Sequence, residues 1–251
     1  MICCKDCAMA RFMSSIRWGA VAVCILIAVF LFVTPNDHAS AQQNSCAVAR
    51  APVASLSFIN QDPMLDRHRS VRWLNNRANQ GSRYLVTGLT EYELQARFDM
   101  RLEPVEVGVG AFCLYPIRIN PEVEVIKHLV YVASELERGT CEYDVVYAHE
   151  GQHVQINQHM EQDIQRELDA MVSEIMADFA AMRPVGAGEV QRLQRRLLNQ
   201  YGQDFKRRLR AIDLARREDH RAIDTPDEYE RLSKACGPNS AFQTTLPDAM
   251  R

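Results

Sequence analysis

From Thr140 to Ile223 the sequence leaves its backbone little choice. No proline occurs between Pro121 and Pro184. Within that stretch His153, Ile156, Met160, Ile164, Leu168, Met171, Ile175, Phe179 and Met182 follow one another at intervals of three or four, the spacing that puts side chains on one face of an α-helix. Thr140 is a candidate N-cap for this helix. "RPVGAG", Arg183 to Gly188, breaks it. A second periodic run follows through Val190, Leu193, Leu197, Tyr201, Phe205, Leu209 and Ile212, with Gly202 tolerated at about 1 kcal/mol relative to Ala. Residues 144–182 hold eight Asp/Glu and one Arg, whereas residues 189–221 hold ten Lys/Arg and five Asp/Glu. Two long helices of complementary charge joined by a short break form an antiparallel hairpin, although each surface pair contributes little.

Upstream, the pattern is rich in β-formers. "YLVTG" (Tyr84–Gly88) reads as a strand, and Thr90 to Glu93 has the form of a capping box that would open a helix burying Leu94 and Phe98. "VEVGVG", "FCLYPIRI" and "EVEVIKHLVYVA" read as strands separated at Gly110-Ala111 and Asn120-Pro121. The expected fold class is α+β, with a small, largely antiparallel sheet packed on a long helix that pairs with a second one. Residues 42–83 read as an irregular segment whose "DRHRSVRWLNNR" is a solvated face, residues 84–236 as one domain and residues 237–251 as a loose tail.

The first forty residues are of different character. Lys5, Arg11 and Arg17 precede an apolar run from Trp18 to Val33, and Ala39-Ser40-Ala41 supplies the small-x-small pattern that signal peptidase reads. Residues 1–41 therefore read as a signal peptide cleaved after Ala41, which places the chain in the periplasm or outside the cell. An uncleaved inner-membrane anchor is the alternative, and the only membrane contact expected. A formal net charge of −3 gives no basis for nucleic-acid binding. Beyond the leader remain Cys46, Cys113, Cys141 and Cys236, an even set suited to two disulfides in an oxidising compartment. If the strand carrying Cys113 lies beside the start of the first long helix, Cys113 bonds Cys141 and leaves Cys46 for Cys236.

The chemistry concentrates in "HEGQH". On a helix, His149 and His153 differ by about 40° and one turn, so both imidazoles can converge on one Zn2+ ion. Glu150 projects about 100° away, outside the ligand set but within reach of a water on the metal's open side. Zinc lowers the pKa of such a water, and Glu150 would act as its general base in peptide hydrolysis.

A third protein ligand is required, and four residues are candidates. His159 would need the chain to reverse at Ile156, where a β-branched residue is poorly suited to positive φ. Continuing the helix leaves it about 120° off the ligand face. Glu174 would lie about 30 Å along the same helix. A hairpin turning near residue 186 sets His149 opposite residue 223 and His153 opposite residue 219, a window that holds His220 and Asp224. His220 is the expected ligand. Asp224 either replaces it or orients it from behind.

Together with "YLVTGLTEYELQARF", "GTCEYDVVYAHEGQH" and "IDTPDEYERL", this motif resembles the bacterial predicted secreted zinc-dependent proteases, a zincin-like family, over roughly residues 84–230. The resemblance implies a zincin-like fold and a metallopeptidase with a peptide or protein substrate. A non-catalytic envelope protein whose interaction surface is stabilised by zinc is the other reading; such a protein has no use for Glu150.

Overall fold

The computed structural model describes Cys46, residues 53–78 and residues 84–246. The expected signal peptide and its cleavage point lie outside the described residues. No described helix is long and apolar enough to cross a membrane.

The fold is α+β. Strand β4 (Gly88–Gly108) and strand β5 (Ala111–Val132) form one long antiparallel hairpin, running from Gly88 opposite Val132 to Gly108 opposite Ala111. The chain reverses through Gly110, whose φ of 66° favours a residue without a Cβ. Three short strands, β1 (Val53–Ala54), β2 (Ser57–Ile59) and β3 (Met64–Asp66), pair with the other edge of β5, all parallel to it. Strand β6 (Val185–Gly186) adds an antiparallel pairing at Ala111–Phe112.

Three expectations are corrected here. The sheet is not largely antiparallel: three of its five strand pairings are parallel, because residues 53–66 run alongside β5. Those segments of two or three residues are too short to display a period in the sequence. Residues 90–98 form part of β4, not a helix; Tyr92, Leu94, Phe98, Met100 and Leu102 contribute to the core from alternating positions. The four-residue step from Leu94 to Phe98 satisfies a period of two as well as a helical one, and pairing with β5 decides between them. Nor does Asn120-Pro121 end a strand. Pro116 falls between the residues paired with β6 and β1, and Pro121 between those paired with β1 and β2, gaps where no edge strand asks for a hydrogen bond.

Four helices are described: α1 (Val71–Ala78), α2 (Cys141–Ala181), α3 (Ala187–Ile223) and α4 (Pro226–Lys234). Thr140 caps α2, its side chain accepting from Tyr143 N at 3.3 Å, and Glu142 and Asp144 add negative charge to the first turn. Helices α2 and α3 form the hairpin. Met160, Ile164, Leu168, Met171, Ile175 and Phe179 pack against Val190, Leu193, Leu197, Tyr201 and Phe205, with the hairpin strands closing the core. Arg208 bridges the two helices, donating to Glu167 at 2.6 Å and Glu174 at 2.5 Å.

A second core gathers Val71 and Leu74 of α1, Val86, residues 131–133, Leu136 and the start of α2 at Tyr143 and Val146. Phe242 and Leu246 also belong to it. Residues 237–246 are thus docked instead of forming part of a loose tail, and Ala241 N donates to Glu142 Oε1 at 3.0 Å.

Two disulfides form, with a connectivity opposite to that expected: Cys46–Cys113 and Cys141–Cys236. The reason is the length of α2. Its 41 residues span about 60 Å. Cys113 sits near the hairpin turn, next to the pairing of Phe112 with Val185, while Cys141 opens α2 at the other end. Cys46 joins Cys113 at the turn, where its N–H also donates to Met182 O. Cys236, just past α4, joins Cys141.

Candidate metal centre

Residues 149–157 of α2 lie between the second core, which takes Tyr143 and Val146, and the first, which begins on this helix at Met160. His149 and His153 are 5% and 7% exposed, their rings edge to face with centroids 5.0 Å apart. Helix α3 runs antiparallel past them and ends at Ile223. Asp224 caps that end with φ −89° and ψ 53°, a conformation outside the helix, and its N–H still bonds His220 O. Thr225 then opens α4, its hydroxyl accepting from Glu228 N at 3.2 Å, with Pro226 in the first turn.

This break directs Asp224 onto the histidines. Its Oδ1 lies 3.2 Å from His149 Nε2 and 3.2 Å from His153 Nε2. One ligand atom from each of the three residues falls within 4.8 Å of the others, the one group of this kind among the described residues. Bonds of about 2.0–2.1 Å at tetrahedral angles separate neighbouring ligand atoms by about 3.3 Å. The two separations to Asp224 are close to this value, so the three donors could hold a metal ion, and the Asp224 side chain is 35% exposed.

His220, expected as third ligand, is not part of this group. Its Nδ1 meets Nδ1 of His153 at 2.7 Å, on the ring edge away from Asp224. The hairpin pairing was right to within one residue, and the bend at Asp224 determines which of the two side chains reaches the Nε2 atoms. Glu174 is engaged by Arg208, and His159 is exposed.

Glu150 is buried at 4% exposure on the face of α2 that meets β4. Thr90 Oγ1 donates to its Oε2 at 2.7 Å. Its Oε1 lies so close to the β4 backbone that a Cβ on Gly88 would stand 2.4 Å away. Burial pushes the Glu150 carboxyl up, against the opposing pull of His153, Thr90 and His149.

Charge is organised around the same point. Burial works against the ionised form of Asp224, but hydrogen bonds from His149 and His153 hold its pKa far below the usual carboxylate range. Burial also opposes a charge on His149, and Asp224, Glu150 and Glu228 outweigh it and raise its pKa. Glu228 Oε1 is 3.3 Å from His149 Nδ1, a charge contact lacking the direction of a hydrogen bond. Tyr229 lies beside Asp224 and stacks on Tyr84 at 5.1 Å. Its pKa is pushed up to about 12, by burial first and then by the charges of Asp224 and Glu150, so the phenol keeps its proton.

Glu228 and Tyr229 were not expected as site residues from the sequence, nor were Asn157 and Arg216, and Thr90 was read only as the start of a capping box. A signal for the first two exists: Thr225-Pro226-Asp227-Glu228 is a capping box with proline at its first helical position, which announces a helix directly after Asp224. For Thr90, Asn157 and Arg216 the local sequence holds none.

No protein-family model, no curated protein and no solved structure matches this chain.

Proposed function

We propose that this chain is an exported zinc-dependent peptidase of zincin-like type. His149, His153 and Asp224 would hold the ion, and Glu150 would be the general base. Two neutral nitrogens and one carboxylate are a donor set that suits zinc, and three protein ligands with an open fourth position are the pattern of catalytic, not structural, zinc sites. Zinc bound there supplies Lewis acidity to an attacking water and to the scissile carbonyl. Glu150 takes the proton of that water on its carboxylate and returns it to the departing amine. Its raised pKa suits a base that must also give the proton back.

The observation that carries this reading is Glu150 itself. The ion does not need it, yet it is buried beside the ligand pair at the cost of desolvation, with Thr90 and the bare backbone of Gly88 shaped around it. The two disulfides support an oxidising compartment, in line with the leader-like residues 1–41.

Elemental analysis of the purified chain, with cleavage of a peptide library before and after chelation, tests the proposal. One zinc per chain, cleavage lost on chelation and cleavage restored by zinc are the expected results. A zinc-loaded chain that cleaves no member of the library would overturn the hydrolytic reading.

A further inference from the structure

The ring edge of His153 facing away from Asp224 carries its own apparatus. His220 Nδ1 lies 2.7 Å from His153 Nδ1, with the ring centroids 4.9 Å apart. On the far side of the His220 ring, Nε2 is 3.1 Å from Asn157 Oδ1 and 3.2 Å from Arg216 Nη1. Arg216 Nη1 is also 3.4 Å from Asn157 Oδ1. Asn157 stands one turn beyond His153 on α2, and Arg216 one turn before His220 on α3, so the two helices contribute a pair each.

Asn157 is hard to explain by packing. It is fully buried on the core-facing stripe, where helical spacing calls for an apolar residue, and its Nδ2 has no hydrogen-bond partner. An orphaned buried amide costs about 1–3 kcal/mol. Its oxygen is the part in use. A guanidinium has only donors, so Arg216 fixes the amide with Oδ1 turned towards itself and His220.

Two nitrogens at 2.7 Å require one to donate and the other to accept. Two proton arrangements satisfy the chain. In one, His220 Nε2–H donates to Asn157 Oδ1, and its Nδ1 accepts from His153 Nδ1–H, which leaves the Nε2 lone pair of His153 free. In the other, Arg216 donates to His220 Nε2, the Nδ1 proton sits on His220, and His153 carries its own proton on Nε2, aimed at Asp224. Only the first leaves His153 able to bind a metal through Nε2.

We infer that His220 is the positioning partner of the metal ligand His153: backed by Asn157 and Arg216, it accepts the Nδ1 proton and holds the Nε2 lone pair on the ion. The two ligands are then supported differently, His149 by the Glu228 carboxylate and His153 by an imidazole that adds no negative charge. The inference rests on the metal half of the reading above and not on hydrolysis.

The test is zinc affinity, measured against a competing chelating dye on the full chain and three variants. His220→Asn keeps an acceptor where Nδ1 stands, His220→Gln keeps a polar atom only where Nε2 stands, and His220→Ala keeps neither. Outer-shell partners are worth about 10–100-fold in affinity. The expected order is wild type close to His220→Asn, with His220→Gln and His220→Ala weaker by that factor. In the zinc-loaded wild type, nitrogen-15 spectra of the histidines should show the proton of His153 on Nδ1 and that of His220 on Nε2. Wild-type affinity in His220→Ala, equal losses in all three variants, the reverse tautomers, or a wild type that binds no zinc would each overturn the inference. Should the order hold while no peptide is cleaved, only the hydrolytic reading fails. Should cleavage stand while the order is absent, only this inference fails.

Discussion

Replacing Gly88 by alanine should disable Glu150, the proposed general base, without touching the proposed metal ligands. Its backbone is not in the left-handed region, so alanine brings no φ strain and the whole effect comes from one methyl group. That methyl would stand 2.4 Å from Glu150 Oε1, 2.8 Å from Glu150 Cγ and 2.7 Å from Val146 Cγ1. Ordinary contacts between such atoms are about 3.5 Å, so the Glu150 side chain must retreat by about 1 Å. It has little room, being buried against β4, and Val146 is itself only 3% exposed. Misplacing a catalytic group by about 1 Å costs on the order of 100-fold in rate. Overpacking of this kind costs about 1–3 kcal/mol of stability, or roughly 2–4 °C of melting temperature per kcal/mol in a chain of this size. The assay is kcat and KM on a cleaved peptide, with zinc content and melting temperature measured on the same sample. A folded Gly88→Ala protein with wild-type kcat would refute the placement of Glu150, and one that lost its zinc would show that the strand supports the ligands instead.

Asp224→Ala should weaken zinc binding by more than the roughly 100-fold of an outer residue, while His159→Ala and Glu174→Ala keep the wild-type zinc affinity; equal affinities across the three would overturn the ligand assignment. A peptide map without reduction should yield the pairs Cys46–Cys113 and Cys141–Cys236, and removing the second should cost about 2–5 kcal/mol in a denaturant titration; a Cys113–Cys141 peptide would contradict the fold. His220 has its pKa pushed down to about 4, by burial first and then by the charges of His153 and Arg216. Unfolded, it titrates near 6.5. Between those values the unfolded chain binds a proton that the folded one does not, so His220 makes the metal-free protein less stable as pH falls from about 6.5 towards 4. Thermal melts of the metal-free chain across this range check it, and an equal acid loss in His220→Asn would rule His220 out as the cause.

Where the sequence carries a long uninterrupted period, it was readable. Thr140, the break at Arg183–Gly188 and the stripes from Met160 to Phe179 and Val190 to Phe205 all lie where spacing puts them. The stripe fails near the candidate metal centre, where Asn157 takes the buried position and Ile156 only a half-buried one. That departure is informative, because a polar residue on a core face signals a demand other than packing. The strands were harder, since Leu94 and Phe98 fit two periods at once and β1 to β3 are too short to show any. His149, Glu150 and His153 were legible because one turn of helix sets their relation. Asp224 over His220 was not, since hairpin pairing resolves position only to within a residue or two and a single non-helical ψ decides which side chain arrives. The disulfides required knowing which end of a 41-residue helix each cysteine occupies, and that depends on the register of β5 with β6.

The central claim is that a metal and a separate carboxylate act together, and Glu150→Gln isolates the second from the first. The amide preserves the size of the side chain and the hydroxyl contact of Thr90 but cannot take a proton from water. Zinc stoichiometry and peptide turnover measured on one preparation of this variant should give the wild-type metal content, with cleavage reduced by about 100- to 10,000-fold, the range for a general base. Wild-type turnover in a zinc-loaded Glu150→Gln protein would contradict the account.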